Sequence, residues 1–163
     1  MQTTTLTTIS LSHHGIAEKL LQTDHNHHLL ISTKAFEKGE TISPFSAAEV
    51  HTEPSRYTVQ VGENKHIILA PEFLQYINHS CDPNVFFNTT TMELVALKSI
   101  APGDEFTFFY PSTEWDMAEP FECLCGSAHC LGIIKGAKDI PDEILDTYQL
   151  TDFIQSKRKQ LKD

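Results

Sequence analysis

The sequence predicts one domain that is mainly β, with a helix at its C-terminal end. Short apolar runs of strand length recur between residues 29 and 110, and turn-forming residues separate them. Helical spacing of apolar residues is convincing only after residue 139. The chain has 163 residues, which is enough to bury one hydrophobic core but short for two.

Six apolar runs are the candidate strands. In chain order they span residues 29–31, 57–61, 66–69, 85–87, 94–97 and 106–110. Residues 62–64 would turn the second run back into the third, and residues 88–91 would turn the fourth into the fifth. Gly103 follows Pro102 in a tight turn before the sixth run, since glycine adopts positive φ without strain. The middle of the chain is therefore predicted to be a series of hairpins.

Helices are expected at the two ends of the chain. Near the C-terminus, cations follow the helically spaced apolar residues, where a helix end favours positive charge. The apolar positions are Ile140, Ile144, Leu145, Tyr148, Phe153 and Ile154, and the cations are Lys157, Arg158 and Lys159. Residues 11–21 are expected to form a further short helix, and residues 23–28 a polar loop.

Charge and hydropathy limit the function and the location of the protein. The formal net charge is −10, which argues against nucleic-acid binding because phosphate neutralisation needs clustered Lys and Arg. The same charge would attract a basic protein or a Lys-rich peptide. No apolar stretch is long enough for a membrane span, and the first residues lack the pattern of a signal peptide. We expect a cytoplasmic protein with no membrane contact; the oligomeric state cannot be read from the sequence.

The cysteines predict a metal site. All four are found in two places: Cys81 alone, and Cys123, Cys125 and Cys130 in a Cys-x-Cys-x4-Cys knuckle. Disulfides are rare in the cytoplasm, and structural zinc prefers four soft ligands. We expect one zinc site assembled from distant parts of the chain. His129 in place of Cys81, a set of buried thiols, and a redox pair are the alternatives.

Two further motifs surround this pattern. Residues 78–84 read Asn-His-Ser-Cys-Asp-Pro-Asn, which alone is typical of a turn because these side chains bond the nearby backbone. Residues 103–110 read Gly-Asp-Glu-Phe-Thr-Phe-Phe-Tyr, and the cysteine knuckle follows them. The three motifs in this order indicate a protein family far more specifically than any one of them does alone.

Together the motifs resemble the SET-domain protein-lysine methyltransferases that carry a post-SET zinc motif. The family pattern is Asn-His-Ser-Cys-x-Pro-Asn, then Gly-Glu-Glu-Leu-Thr-Phe-Asp-Tyr, then Cys-x-Cys-x4-Cys-x-Gly, and the chain matches the last residue for residue. Residues 35–42 are similar to the family's opening strand and turn. The resemblance covers roughly residues 29–136.

This resemblance implies a SET fold of the β-clip type, with small sheets and a pseudoknot. The Asn-His segment would thread beside the final Tyr strand. The expected organisation is an N-terminal extension at 1–28, a SET core at 29–112, a connector with the post-SET zinc motif at 113–136, and a C-terminal helix at 137–163. All four parts would form a single compact domain.

It also implies the cofactors and the site residues. S-adenosylmethionine would be the methyl donor, and zinc would be structural. Tyr110 would be catalytic; Tyr76, Asn78, His79 and Tyr110 would bind the cofactor; Phe108 and Tyr110 would line the substrate channel; and Cys81, Cys123, Cys125 and Cys130 would bind zinc. In the family, ring size at the position of Phe108 governs how many methyl groups are added, and Phe implies more than one.

The chemistry accounts for these residue types. A lysine ammonium with a pKa near 10.4 must lose its proton before it attacks a methyl group, at a cost of roughly 4 to 5 kcal/mol at pH 7. A narrow channel and the adjacent sulfonium both disfavour the ammonium form. The Tyr110 hydroxyl would orient the neutral amine for in-line attack.

Three positions depart from the family pattern. His27, His28 and Leu29 occupy the place of the family's Gly-x-Gly, which approaches the methionine end of the cofactor. Phe109 replaces an Asp, and Phe45 replaces a Tyr that often follows the opening strand. Strand alternation predicts that Phe109 faces the core, opposite to Phe108.

Rival interpretations follow from these departures. The first is a zinc-stabilised SET-like peptide-binding module without catalysis, and the second is a zinc-dependent redox or metal-storage protein. Histidines at 13–14 and 25–28 are candidates for a second metal site, but solvated loop histidines are the simpler interpretation. Residues 114–117 would form a packed connector or a lid over the substrate.

Overall fold

The structure is a computed structural model that describes residues 8–23 and 26–162. Its strands are β1 (Thr8–His13), β2 (Ala17–Gln22), β3 (His27–Ser32), β4 (Thr41–Pro44), β5 (Ser46–His51), β6 (Thr58–Gly62), β7 (Lys65–Ala70), β8 (Asn78–His79), β9 (Val85–Asn88), β10 (Glu93–Ala96), β11 (Thr107–Phe108), β12 (Phe121–Glu122) and β13 (Ile133–Ile134). Short 3-10 helices span Glu72–Tyr76, Tyr110–Ser112 and Ala137–Asp139, and the α-helices are α1 (Asp142–Leu145) and α2 (Asp152–Lys162).

The strands form several small sheets. Three of these are antiparallel and three-stranded, in the orders β1-β2-β3, β4-β10-β9 and β5-β7-β6. The predicted hairpins around 62–64 and 88–91 are present as β6-β7 and β9-β10. Five of the six predicted strands are confirmed with small differences at their ends. The sixth is reduced to β11, because the chain turns into a 3-10 helix at Tyr110, next to Pro111.

The N-terminal helix expected at 11–21 is wrong. These residues belong to the β1-β2 hairpin, which turns at Gly15 with a φ of 78°. β2 also pairs with β3 along its whole length, so long-range pairing outweighs the weak helical spacing of its apolar residues. The loop expected at 23–28 is shorter than predicted since His27 and His28 begin β3; Asp24 and His25 lie outside the described residues.

Parallel pairing of β8 with β11 confirms the predicted threading. Asn78 lies opposite Thr107, and His79 lies opposite Phe108. The side chain of Asn84 extends this pairing, because its Oδ1 accepts a hydrogen bond from the Thr107 backbone N–H at 2.9 Å. This pairing holds the motif at residues 78–84 beside the motif at residues 103–110, although the two are separated in sequence.

Two hydrophobic cores flank this parallel pair. The main core packs the three-stranded sheets around buried residues such as Leu30, Phe87 and Phe106. The second core lies between Phe109 and the C-terminal segment and includes Ala137, Leu145, Leu150 and Ile154. Phe108 belongs to the main core and Phe109 to the second, which confirms the predicted alternation.

The C-terminal helix is confirmed at Asp152–Lys162, but its expected start near residue 140 is wrong. A four-residue helix, α1, follows Pro141, and the chain then breaks before α2. α2 begins after Thr151, whose Oγ1 accepts a hydrogen bond from the Ile154 N–H at 3.3 Å. Within the described ranges, neither of the α-helices is long and apolar enough to cross a membrane.

Candidate active site and metal centre

A cavity of about 1050 Å³ opens beside the parallel pair. Its walls come from β3, from the segment leading into β8, from β11, and from the segment before the cysteine knuckle. All of the residues predicted to bind the cofactor or to line the channel are in these walls: Tyr76, Asn78, His79, Phe108 and Tyr110. The fold therefore collects them around one space, which has the size of a small-molecule site.

Tyr110 stands where β11 gives way to the 3-10 helix. Its hydroxyl donates a hydrogen bond to the Ile77 carbonyl oxygen at 3.2 Å. Burial is the main cause that raises the pKa of this phenol well above its usual value, so the side chain is neutral at physiological pH. A neutral phenol still has lone pairs that accept a hydrogen bond from a substrate group. Tyr110 is thus suited to orienting an amine rather than to removing its proton.

Aromatic rings surround Tyr110. Phe108 lies 4.6 Å from it between ring centroids, and Phe121 lies 5.8 Å away. Phe87 packs edge-on against Phe108 at 4.8 Å, and Phe45 packs behind Phe87 at 5.4 Å. Phe45 is buried in the main core, and it is not among the described residues that line the cavity. The wall of the cavity beside Tyr110 is therefore aromatic and apolar.

His79 connects Tyr110 to the cysteines through its side chain. Nδ1 accepts a hydrogen bond from the Tyr110 backbone N–H at 3.1 Å, and Nε2 lies 3.4 Å from Cys81 Sγ. Burial lowers the pKa of this imidazole to about 4, so the ring is neutral at pH 7. The resemblance implies that His79 binds the cofactor, and the structure adds these contacts of its ring.

Asn78 ties β8 to the histidines that replace the family's Gly-x-Gly. Its Nδ2 donates to the His28 carbonyl oxygen at 2.8 Å and to Glu105 Oε2 at 3.1 Å, and it lies 3.2 Å from His27 Nε2. Both histidines line the cavity and leave it open. The ring of Tyr76 packs near His28, with 5.5 Å between the centroids.

One nitrogen in this wall lacks a partner. His28 Nδ1 is buried and makes no hydrogen bond within the described part of the chain. Buried polar atoms are normally satisfied, so this nitrogen is an exception in the wall of the cavity. The size of the cavity and the polar residues His27, His28 and Asn78 in its wall both fit a polar nucleoside-type molecule such as S-adenosylmethionine.

Glu114 fastens the connector to β6. Its Oε2 accepts hydrogen bonds from the Gln60 backbone N–H at 3.0 Å and from Thr113 Oγ1 at 2.6 Å. The Trp115 N–H donates in turn to Gln60 Oε1 at 2.9 Å. Burial raises the pKa of Glu114 to about 7. At this end the segment 114–117 is a packed connector.

The four cysteine sulfurs meet in one cluster. All lie within 4.8 Å of one another, and the Cys81 and Cys123 sulfurs are 3.9 Å apart. A tetrahedral zinc site with Zn–S bonds of about 2.3 Å separates its sulfurs by about 3.8 Å, whereas a disulfide needs about 2.05 Å. The distances fit four ligands of one metal ion. This cluster brings together every cysteine that the sequence predicts as a ligand.

The ionisation of the thiols depends on this cluster. Burial raises the pKa of Cys81 to about 11 and also raises the pKa of Cys123. Burial alone would raise the pKa of Cys125 as well, but hydrogen bonds outweigh it and lower the value to about 6. A divalent cation at the centre would favour the thiolate form of all of them.

The proposed histidine site near the N-terminus has no such geometry. His14 bonds Ser12 Oγ at 2.8 Å and stacks on Phe73, while His13 pairs with Glu18 at 3.6 Å. The four-cysteine cluster is the one group of potential metal ligands found among residues 8–23 and 26–162. The simpler interpretation of these histidines as side chains without metal agrees with their contacts.

Comparison with known proteins now decides the family. A family model described as the SET domain matches residues 27–111, which is more than half of the chain. The chain belongs to the SET-domain family. A methyltransferase, flvH of Aspergillus flavus, is 39% identical to this SET-domain protein over 126 residues, or 76% of this chain and 70% of that protein.

Histone methyltransferases are also similar to this SET domain. The H3 lysine-4 specific histone-lysine N-methyltransferase of Emericella nidulans is 33% identical over 90 residues, covering 50% of this chain and 7% of that protein. The H3 lysine-36 specific enzyme of Saccharomyces cerevisiae is 28% identical over 116 residues, which cover 64% of this chain and 16% of that enzyme. The chain therefore spans only a small part of the length of these two relatives.

Solved structures share the SET fold. Crystal structures of KRYPTONITE, in complex with mCHH DNA, H3(1-15) peptide and SAH or with mCHG DNA and SAH, superpose with TM-scores of 0.50 and 0.52. Each match covers 65% of this chain and about a quarter of the KRYPTONITE chain. The sequence identities are 20% and 22%. At this identity the match shows the fold.

Sequence reasoning missed two residues that line the cavity of this SET-domain site. The first, Phe121, lies in β12. An aromatic residue two positions before Cys123 was the available signal for Phe121. Arg56 also lines the cavity, from the loop before β6, and no sequence signal pointed to it.

Proposed function

We propose that this SET-domain protein transfers methyl groups from S-adenosylmethionine to the lysine side chain of a basic protein. The observation that carries the proposal is the position of Tyr110. Its part-buried ring lies against the rings of Phe108 and Phe121 and lines the same cavity as Asn78 and His28. A methyl donor and a methyl acceptor could therefore approach one another at the Tyr110 ring.

The polar wall is suited to the donor. Asn78 has its amide nitrogen engaged with β3 and Glu105, which fixes the orientation of its carbonyl oxygen and of the backbone of β8. His28 Nδ1 offers a buried hydrogen-bonding atom. When bound, S-adenosylmethionine supplies an electrophilic methyl group on a sulfonium ion. Tyr76, Asn78 and His79 would contact this molecule.

The aromatic passage is suited to the acceptor. Phe108, Phe121 and Tyr110 exclude water from an amine that enters between them, and an apolar passage disfavours the ammonium form. The Tyr110 oxygen would accept a hydrogen bond from the neutral amine and align its lone pair with the methyl group. Its raised pKa keeps the hydroxyl protonated and uncharged throughout.

A basic substrate follows from charge. The formal net charge of −10 attracts a Lys-rich peptide and steers its approach. The names of the similar histone methyltransferases specify H3 lysines, and the tail of histone H3 is the natural first probe. We do not extend the proposal to nucleic acid, since the same charge opposes phosphate.

Zinc has a structural role in this proposal. Cys81, Cys123, Cys125 and Cys130 would bind one ion and hold the segment that contains Phe121 against Tyr110. All four positions of a tetrahedral site would be filled by protein thiolates, which leaves no position for substrate. Metal therefore maintains the channel and takes no part at the reacting carbon.

The test combines binding with turnover. Calorimetry of the zinc-loaded protein with S-adenosylmethionine should give one site per chain, and radiolabelled methyl groups should appear on core histones. Absence of binding at millimolar S-adenosylmethionine would overturn the enzyme proposal. Peptide binding without S-adenosylmethionine binding would instead support a zinc-stabilised peptide-binding module, the alternative that the replacement of Gly-x-Gly at His27 and His28 suggests from sequence.

A further inference from the structure

His79 has a hydrogen-bond partner at each ring nitrogen. Nδ1 faces the backbone N–H of Tyr110 at 3.1 Å, and Nε2 faces the sulfur of Cys81 at 3.4 Å. The ring also lies between two aromatic neighbours, Phe109 and Phe121, each with its centroid 5.6 Å away. This packing limits rotation of the imidazole, so the two polar contacts exist together.

The two contacts determine where the ring proton lies. A backbone N–H can only donate, so Nδ1 must be the unprotonated nitrogen of the neutral ring. The proton is therefore on Nε2, and Nε2–H donates to Cys81 Sγ. The Cys81 sulfur is the acceptor of this bond, and it is also one of the four sulfurs of the metal cluster.

A second donor supports the assignment of the sulfur. The backbone N–H of Leu131 also points at Cys81 Sγ, at 3.4 Å. Two N–H groups directed at one sulfur stabilise negative charge on it. Leu131 directly follows Cys130, so the same contact brings the end of the knuckle to the Asn-His segment.

We propose that His79 is a positioning residue that couples the metal centre to the backbone of Tyr110, through one imidazole ring held between the Cys81 sulfur and the Tyr110 N–H. The proposal rests on the proposed function for the role of Tyr110. The Cys81 sulfur accepts from Nε2–H, which sets the tautomer, and the unprotonated Nδ1 holds the point at which β11 turns. Zinc, when bound, would be held by Cys81 together with the three cysteines of the knuckle. Metal ligands are commonly oriented and tuned by such neighbouring hydrogen bonds.

The first experiment reads the tautomer in the unaltered protein. Zinc-loaded protein with ¹⁵N-labelled histidine is examined by long-range ¹H–¹⁵N correlation near neutral pH. We expect His79 to show a protonated Nε2 and an unprotonated Nδ1. A protonated Nδ1, or a rapid mixture of the two tautomers, would overturn the proposal.

The second experiment separates the two contacts with two amides. The oxygen of an Asn side chain can replace Nδ1, while the nitrogen of a longer Gln side chain can replace Nε2–H. We expect His79→Asn to lower zinc affinity about 10- to 100-fold and to leave the Tyr110 amide protected from hydrogen exchange. His79→Gln should retain zinc affinity near the wild-type value and should speed exchange of the Tyr110 amide.

His129→Gln is the matched control. His129 is exposed beside the ligand Cys130, but its ring is not part of the four-sulfur cluster. The control should change neither zinc affinity nor the Tyr110 amide. Equal effects of both His79 variants on zinc, or no effect of either, would contradict the coupling, and the tautomer spectrum decides the case if a variant does not fold.

These measurements do not depend on methyl transfer. The tautomer, the zinc affinity and the exchange rate are all observed without S-adenosylmethionine. Suppose that the protein does not methylate, but His79 has the expected tautomer and its Asn and Gln variants differ as expected in zinc affinity and amide exchange. This result would contradict the proposed function alone. A protein that methylates with a protonated Nδ1 on His79 would contradict this inference alone.

Discussion

Tyr148 donates a hydrogen bond from its hydroxyl to the carbonyl oxygen of Cys81, at 2.6 Å. Its ring stacks on Phe109 with 3.7 Å between centroids and 7° between planes. The segment between α1 and α2 therefore reaches the same loop that supplies a metal ligand. Tyr148 makes this contact from the non-helical stretch between α1 and α2.

Cys81 is consequently the point at which three parts of the chain meet. Its sulfur faces His79 Nε2 and the Leu131 N–H, while its carbonyl oxygen accepts from Tyr148. These partners come from the Asn-His segment, the cysteine knuckle and the C-terminal segment. Metal binding and docking of the C-terminal segment should therefore reinforce one another.

Tyr148→Phe tests the C-terminal contact. The variant keeps the ring on Phe109 and removes only the hydroxyl, so it leaves a part-buried carbonyl without its donor. We expect the free energy of unfolding to fall by about 1 to 2 kcal/mol, measured by urea denaturation with zinc held constant. Tyr57→Phe, at a half-exposed ring, is the control. Equal stability of the two variants would show that the hydrogen bond contributes nothing.

Cys81→Ser tests the metal centre. Wild-type protein should contain one zinc ion per chain by elemental analysis, and the variant should lose most of it. One ligand lost from four should lower the free energy of unfolding by on the order of 3 kcal/mol, a fraction of the total for a structural zinc site. Ala128→Ser adds a hydroxyl at an exposed position of the same knuckle and should retain zinc. Full zinc content in Cys81→Ser would contradict the ligand assignment.

The sequence allowed most of the strands and the metal cluster to be predicted. Strand runs such as 85–87 are local patterns of apolar residues between turns. Such a pattern predicts a strand without knowledge of the rest of the fold. The cysteines were predictable because no competing thiols exist and because the knuckle spacing restricts geometry. The family motifs then placed Cys81 beside the knuckle, which no local pattern could do.

Long-range contacts caused the errors and the omissions. The apolar residues of β2 have weak helical spacing, but pairing with both β1 and β3 determines their conformation. Tyr148, in the non-helical stretch between α1 and α2, makes its hydrogen bond to a residue 67 positions away. Phe121 and the ring of His79 acquire their roles through neighbours that only the folded chain brings together.

Tyr110→Phe tests the catalytic assignment. The variant removes the hydroxyl that would orient the amine and leaves the aromatic packing with Phe108 intact. We expect the rate of methyl transfer to fall about 100-fold or more, because misplacement of a reacting group has effects of this size. Affinity for S-adenosylmethionine, measured by calorimetry, should stay near the wild-type value. Activity that survives the change would show that another group orients the amine.

Phe108→Tyr tests the size of the channel. Phe108 packs between Phe87 and Tyr110, so a hydroxyl added at its edge takes up space in the passage. We expect wild-type protein to produce dimethyl or higher products and the variant to stop mainly at monomethyl lysine. Mass spectrometry of histone peptides after exhaustive turnover makes the comparison. Wild-type protein that yields only monomethyl lysine would contradict the assignment.

Glu114→Gln tests the buried carboxyl of the connector. Burial raises the pKa of Glu114 from its ordinary value of 4.5 to about 7, so between these values the unfolded chain releases a proton that the folded chain keeps. Wild-type stability from this group is complete below pH 4.5 and falls as pH rises to 7, by about 3 kcal/mol at about 1.4 kcal/mol per unit.

Glu114→Gln has no ionisable group at this position, so its free energy of unfolding lacks this fall between pH 4.5 and 7. The difference in unfolding free energy, Glu114→Gln minus wild type, should therefore increase between pH 4.5 and 7 and stay level above pH 7. Both proteins have the same cysteines, so zinc release at low pH cancels in the difference. Glu119→Gln removes the same charge at an exposed position of the connector and corrects for net charge. A difference that is constant with pH would mean that Glu114 ionises equally in the folded and unfolded chains, and its contacts with Gln60 and Thr113 would then hold a carboxylate at every pH tested.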